Sequence, residues 1–182
     1  LILDKFIAIS EYKNIKPVLV ITKVDLCSHQ EIVDIYHYAG IHIMIVDYSD
    51  KGSVQAVCDA LANKISALTG NSGVGKSTLL NAIEPSLNIP TGEISEKLGR
   101  GRHTTRHAQL YQLDNGGYIA DTPGFSTFET NKYDIIKKEM LADCFIEFAR
   151  YTDMCRFSDC SHTKEKGCAI IQAVHDGEIS ES

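Results

Sequence analysis

Apolar positions along residues 1–12 recur at helical spacing, with Ile2, Phe6 and Ile9 on one face, and predict a helix. Residues 17–21 (Pro-Val-Leu-Val-Ile) form a β-branched run that predicts a buried strand. That strand delivers Thr22-Lys23-Val24-Asp25 at its carboxyl end, the edge where open α/β sheets bind ligands. Ser28 and Glu31 match a capping box for a helix that Gly40 should end. Residues 42–46 predict a second strand, 52–63 an amphipathic helix, 64–69 a short buried strand, and 77–83 a helix stopped ahead of Pro85. Residues 86–107 hold no period and predict a mobile functional loop. Residues 108–113 and 117–121 should pair around Asp114-Asn115-Gly116, a hairpin turn signal. Residues 141–150 predict a helix with Phe145 and Phe148 inward. From Tyr151 the texture changes to closely spaced Cys, His, Asp and Gly, the mark of a small appended module. The alternation predicts an α/β fold, a mostly parallel sheet flanked by helices on both faces. The expected division is a main domain at 1–150 and a module at 151–182.

Composition narrows the class. A chain of 182 residues with 43% apolar content can hold one ordinary domain and a small appendage. No apolar run approaches the ~20 residues of a membrane span, so no membrane association is expected. The chain opens on Leu1 and reads as a fragment of a longer one. A net charge of -6 argues against a protein that binds nucleic acid with its whole surface. The exception is 97–107, where Lys97, Arg100, Arg102, Arg106, His103 and His107 occur with no acid.

The chemistry centres on Gly70-Asn71-Ser72-Gly73-Val74-Gly75-Lys76-Ser77, a complete G-x-x-x-x-G-K-[ST] phosphate-binding loop between a predicted strand and a predicted helix. Its glycines let the backbone turn N–H groups inward as an anion nest, at a helix N-terminus that favours negative charge. Lys76 is the candidate catalytic cation for the outer phosphates, Ser77 a Mg²⁺ ligand, and Thr78 the last of the nucleotide-binding run. Such a loop implies a reducing cytosol, where the six cysteines are better read as thiols or metal ligands than as disulfides.

Asp121-Thr122-Pro123-Gly124 follows an apolar strand, so Asp121 can hold Mg²⁺ and Gly124 can offer its N–H to a γ-phosphate. Thr22-Lys23-Val24-Asp25 resembles the [NT]-K-x-D guanine motif. The Asp25 carboxylate has a two-donor partner in guanine and none in adenine, and leaving it unpaired is costly. The guanine motif precedes the phosphate loop, the reverse of ordinary small GTPases. The fold therefore resembles a circularly permuted GTPase, a P-loop NTPase whose chain continues directly after the second switch.

The continuation holds Cys155, Cys160, His162 and Cys168, a Cys₃His set suited to one closed, structural zinc site. A module this short needs the metal, because it cannot build a core of its own. Cys27, Cys58 and Cys144 are scattered and should pack as small hydrophobes.

Together these features resemble the ribosome small-subunit-dependent GTPases of the RsgA (YjeQ) family across essentially the whole chain. The resemblance rests on the permuted order, on residues 72–77, on Gly99-Arg100-Gly101-Arg102-His103-Thr104-Thr105, and on the Cys-Cys-His-Cys knuckle. It implies a cytoplasmic, Mg²⁺-dependent enzyme that binds GTP and GDP, hydrolyses GTP, and assists late maturation of the small ribosomal subunit. Hydrolysis would be stimulated by that subunit and its rRNA, and a monomer is expected. It also implies that the family's N-terminal oligonucleotide-binding barrel is absent here. Within the first-switch run 97–107, Thr104 or Thr105 should be the remaining Mg²⁺ ligand. Phe125 stands where many GTPases place a water-orienting glutamine, so His103 is either its catalytic replacement or an RNA-facing histidine. Asp47-Tyr48 replaces the Ser-Ala backbone contact usual in guanine-binding folds. The competing reading is a zinc-knuckle RNA-binding adaptor for which GTP is a slow structural ligand.

Overall fold

A computed structural model of the chain describes residues 2–71, 73–89, 109–121 and 136–181. Ser72, the basic run 97–107 with His103, Thr104 and Thr105, and Gly124 and Phe125 lie outside the described residues. Contacts group the chain into two compact units. The first is Leu1–Val20, Ser28–Ile43 and Asn131–Ser182; the second is Ile21–Cys27 and Met44–Thr130.

In the first unit, α1 (Ile2–Tyr12) packs against the 3-10 turn Ala142–Cys144. Ala8 is its most buried residue, with Phe6 and Ile9 half-buried beside it. Tyr36, on α2 (Gln30–Tyr38), donates its hydroxyl to Asp4 Oδ1 at 2.7 Å and ties the two helices together. The expected Ser28–Glu31 capping box is not formed. His29 is the N-cap, with no side-chain cap bond, and its carbonyl accepts the first helical bond from Val33 N–H. Ser28 is one residue too early to reach the orphan donors. Gly40 ends the helix as expected: at φ +75° it carries Ile41 N–H back to Tyr36 O at 3.0 Å.

The helix expected over 141–150 is instead two 3-10 turns, Ala142–Cys144 and Ile146–Arg150, broken at an extended Phe145 (φ -111°, ψ 107°). The break lets the Phe145 and Phe148 rings stack with centroids 4.9 Å apart. Phe148 in turn covers a core of Cys168, Ile170, Ala173 and Ile179 built on α5 (Ala169–His175). Side-chain packing here outweighs the regular helix bond pattern.

Strands β1 (Val18–Ile21) and β2 (His42–Ile45) pair as a two-stranded sheet. Val18 is 42% exposed, so β1 is less buried than its composition predicts; a two-stranded ribbon has no inner strand. Of the three scattered cysteines, Cys144 is buried, Cys58 half-buried and Cys27 exposed, so Cys27 does not pack as expected.

The second unit holds α3 (Lys51–Leu61), α4 (Lys76–Ile83) and the sheet β3-β5-β4. β3 (Ile65–Ala67) runs parallel to β5 (Tyr118–Asp121), with Ala67 opposite Ala120; β4 (Gln109–Gln112) is antiparallel to β5. Val46, Val57, Leu79, Leu113 and Ile119 are its buried apolar positions among the described residues. The hairpin turn forms as the sequence predicts, with Leu113 N–H on Gly117 O at 2.8 Å. What holds it is not local. A Cβ at Gly117 would lie 2.3 Å from Leu61 O, and Asn115 Nδ2 donates to Cys58 O at 2.6 Å. Glu84, 5% exposed just past α4, accepts from Ser86 Oγ at 2.6 Å and from Asp114 N–H at 3.2 Å. These bonds hold its carboxyl below the ordinary range. Among the described residues, no helix is long and apolar enough to cross a membrane.

Candidate nucleotide cradle and metal centre

The chain leaves β3 at Ala67 and enters α4 at Lys76, and the intervening loop is shaped by three glycines at positive φ: Gly70 at +142°, Gly73 at +81° and Gly75 at +96°. A residue with a Cβ is strained at such angles, so the pattern of glycines is the pattern of the turn. Gly75 is the N-cap of α4 and its carbonyl accepts from Leu79 N–H at 2.9 Å. The free N–H groups of the first helical turn therefore face the loop. Lys76 folds back over it, with Nζ 2.6 Å from Gly70 O and 2.7 Å from Asn71 O. Burial lowers the Lys76 pKa.

The strand-end segment after β1 meets this loop directly. Thr22 donates its hydroxyl to Val74 O at 2.6 Å, and Lys23 donates Nζ to Gly73 O at 2.6 Å. Lys23 is left-handed (φ +57°) and heads a turn closed by Leu26 N–H on Lys23 O at 3.1 Å. Within that turn Val24 is half-buried and Asp25 exposed. Asp121 is the last residue of β5, at the same carboxyl edge as the end of β3 because those strands are parallel. Thus Thr22, Lys23, Val24 and Asp25 gather with Gly70, Asn71, Gly73, Val74, Gly75, Lys76, Ser77 and Thr78 in one unit.

Sequence reasoning assigned Thr22 and Lys23 to the nucleotide and missed that they brace the loop itself. It also gave the 47–50 loop no structure. Ser49 donates N–H and Oγ to Asp47 Oδ1 at 2.8 and 2.7 Å, which lowers that carboxyl's pKa. No motif marks these bonds.

In the first unit, one ligand atom each from Cys155, Cys160, His162 and Cys168 lies within 4.8 Å of the others. Cys155 Sγ is 3.6 Å from His162 Nδ1 and 3.9 Å from Cys168 Sγ, and Nδ1 is 3.4 Å from Cys168 Sγ. A tetrahedral zinc with bonds of about 2.3 Å to sulfur and about 2.0 Å to nitrogen spaces its ligands by about 3.5–3.8 Å. The donor set fits the metal. Backbone N–H groups support the thiolates: Ala169 N–H on Cys155 Sγ at 3.4 Å, and Ile171 N–H on Cys168 Sγ at 3.5 Å. Burial raises the Cys155 thiol, but the Ala169 N–H and the Cys168 thiol outweigh it and hold it below the ordinary value. Burial pushes the Cys160 thiol up to about 11. A bound cation reverses that penalty by favouring the thiolate.

The loop carrying His162 (φ +56°) is fixed by Glu165. Its carboxylate accepts from the Ser161 hydroxyl and N–H and from the N–H groups of Thr163 and Lys164, both at 3.0 Å. The Ser161 hydroxyl, then the Lys164 N–H, hold that carboxyl well below the usual range. Glu165 is the support that ligand spacing alone did not reveal.

The family model described as RsgA GTPase matches residues 1–131. The chain belongs to the RsgA GTPase family. It is 38% identical to the small ribosomal subunit biogenesis GTPase RsgA of Clostridium perfringens (strain SM101 / Type A), an alignment covering 98% of this chain and 62% of that relative. The crystal structure of YjeQ from Thermotoga maritima superposes with a TM-score of 0.77 at 36% identity, covering 99% of this chain and 60% of that one. That of YloQ, a circularly permuted GTPase, gives 0.74 at 33% identity, covering 98% and 57%. The RsgA-family chain described here thus spans about 62% of the length of its curated relative. Its fold is that of a circularly permuted GTPase, as the reversed motif order implied.

Proposed function

We propose that this chain is the GTP-hydrolysing portion of a small-subunit maturation factor, a GTPase domain at 1–150 followed by a zinc module at 151–182. The observation that carries the reading is the bracing of Val74 O and Gly73 O by Thr22 and Lys23. In this reading a guanine motif bonded to a phosphate loop would join base recognition to phosphate binding. The relatives' name points to the small ribosomal subunit as the partner, and we add that subunit's rRNA as the surface contacted. Family membership favours the hydrolase over the RNA adaptor. The protein would act in the cytoplasm as a monomer.

In this reading Asp25 accepts from guanine, and Thr22, Lys23 and Val24 form the wall beneath the base. The N–H groups of 70–78, Ser72 included, cradle the phosphates, and Gly124 N–H meets the γ-phosphate. Lys76 exchanges the carbonyls of Gly70 and Asn71 for outer phosphate oxygens, so its cationic head is delivered where charge develops. Ser77, Asp121 and one of Thr104 and Thr105 would hold one Mg²⁺. Bound there, the ion neutralises charge on the phosphate oxygens. His103 is assigned to orient the attacking water. Cys155, Cys160, His162 and Cys168 would hold one structural zinc.

Two measurements test this. Phosphate release from GTP should rise when small subunits are added to the full-length protein; no stimulation removes the proposed partner. Competition against labelled GTP should favour GTP and GDP over ATP, and Asp25→Ala should cut guanine affinity by about 10–100-fold with the fold intact. Equal displacement by ATP would overturn the guanine assignment.

A further inference from the structure

The loop between β2 and α3 supplies a side chain to the cradle that no motif assigns; the inference rests on the guanine-nucleotide reading above. Val46, fully buried, hands the chain to residues 47–50. Asp47 is pinned by Ser49, and its carbonyl accepts the Ser53 hydroxyl at 2.8 Å. Asp50 Oδ1 accepts Gly52 N–H at 2.8 Å and caps α3. Tyr48 sits between these two fixed residues, and its ring reaches the phosphate loop. A Cβ placed on Gly75 would lie 3.8 Å from Tyr48 Oη and 3.6 Å from Thr22 Oγ1.

The two hydroxyls at this spot differ in what they already do. The Thr22 proton is engaged by Val74 O. Among the described residues, the Tyr48 hydroxyl has no hydrogen-bond partner, and the residue is left 39% exposed. Burial raises the phenol's pKa, so it stays a donor at neutral pH. It lies beside Gly75, the N-cap of α4, where the backbone concentrates donors for an anion. An unpaired donor at such a place lacks one thing, an acceptor oxygen.

We propose that the Tyr48 hydroxyl donates a hydrogen bond to a phosphate oxygen of the bound nucleotide, making Tyr48 a phosphate-positioning residue contributed by the 47–50 loop. The Asp47 carboxylate, taken up by Ser49, is turned to loop architecture and leaves the contact to Tyr48.

The experiment is a comparison of GDP and guanosine binding by the chain and its Tyr48→Phe variant, which keeps the ring and removes the hydroxyl. Loss of a hydrogen bond to a charged oxygen should weaken GDP by about tenfold. Guanosine, which has no phosphate, should bind both proteins equally. Unchanged GDP affinity in Tyr48→Phe, or equal weakening of GDP and guanosine, overturns the proposal. A chain that binds neither ligand overturns the guanine-nucleotide reading itself, and this inference with it.

Discussion

The candidate nucleotide cradle and the candidate metal centre would bind their ligands by opposite means. The cradle is backbone: glycines at positive φ, N–H groups at the start of α4, and carbonyls held by Thr22, Lys23 and Lys76. It stands on a sheet and on buried positions such as Leu79 and Ile119, a core made of the unit's own side chains. The metal centre is side chain: three sulfurs and a nitrogen brought together by turns with little regular structure, beside a helix of seven residues. A preformed cradle can release its ligand and remain folded. A cluster of thiols that supplies much of its own module's core cannot, because removing the cation leaves mutually repelling thiolates or buried thiols.

The sharpest test of this contrast is metal removal. Chelation, or Cys160→Ser, should withdraw on the order of 10 kcal/mol of folding free energy from residues 155–181. Hydrogen exchange should then become fast through α5 while β3, α4 and β5 keep their protection. Simultaneous loss of protection in α4 would show that the cradle is not independently built.

A smaller effect is expected on the other side of the comparison. Thr22→Val keeps the side chain's shape and deletes the donor to Val74 O. It should cost about 1 kcal/mol of stability and weaken GDP binding about fivefold. Zinc content should be unchanged. Full nucleotide affinity in this variant would mean that the glycines alone shape the loop.

The smallest expected effect is a pH dependence confined to the cradle's unit. Glu84 is held below the ordinary glutamate value of 4.5 by Ser86, then by Asp114 N–H. A depressed folded pKa contributes stability that is fully present above the unfolded value and is lost as pH falls through the folded one. Urea midpoints of the native chain should therefore fall more than those of Glu84→Gln between about pH 6 and about pH 3. Zinc loss in acid affects both proteins alike, so the difference isolates Glu84. Parallel curves would show that its hydrogen bonds do not favour the charged form.

Sequence by itself determined the parts of both sites that short stretches encode. The glycine turns of the 70–77 loop, the Asp114-Asn115-Gly116 turn, the Gly40 helix stop and the gathering of Cys155, Cys160, His162 and Cys168 were all legible, because positive φ, turn chemistry and side-chain softness belong to the residues themselves. The reversed motif order also sufficed for the permuted fold. Local signals failed where distant packing competed with them. The 141–150 segment has helical spacing, yet it breaks at Phe145, whose ring stacks on Phe148, and Phe148 covers the core around α5. The Ser28 cap is not made, because α2 begins one residue later, with His29 as its N-cap.

Only the tertiary structure decided what braces the phosphate loop and the hairpin turn, Thr22 on Val74, Asn115 on Cys58, Glu84 on Asp114 and Gly117 against Leu61, and what set Tyr48 beside Gly75. Each joins residues far apart in the chain, and each depends on where the backbone returns rather than on what either residue prefers. A threonine or a tyrosine at a strand end carries no mark of its eventual partner. Its contribution is an interaction energy, and that quantity exists only once both groups are in place.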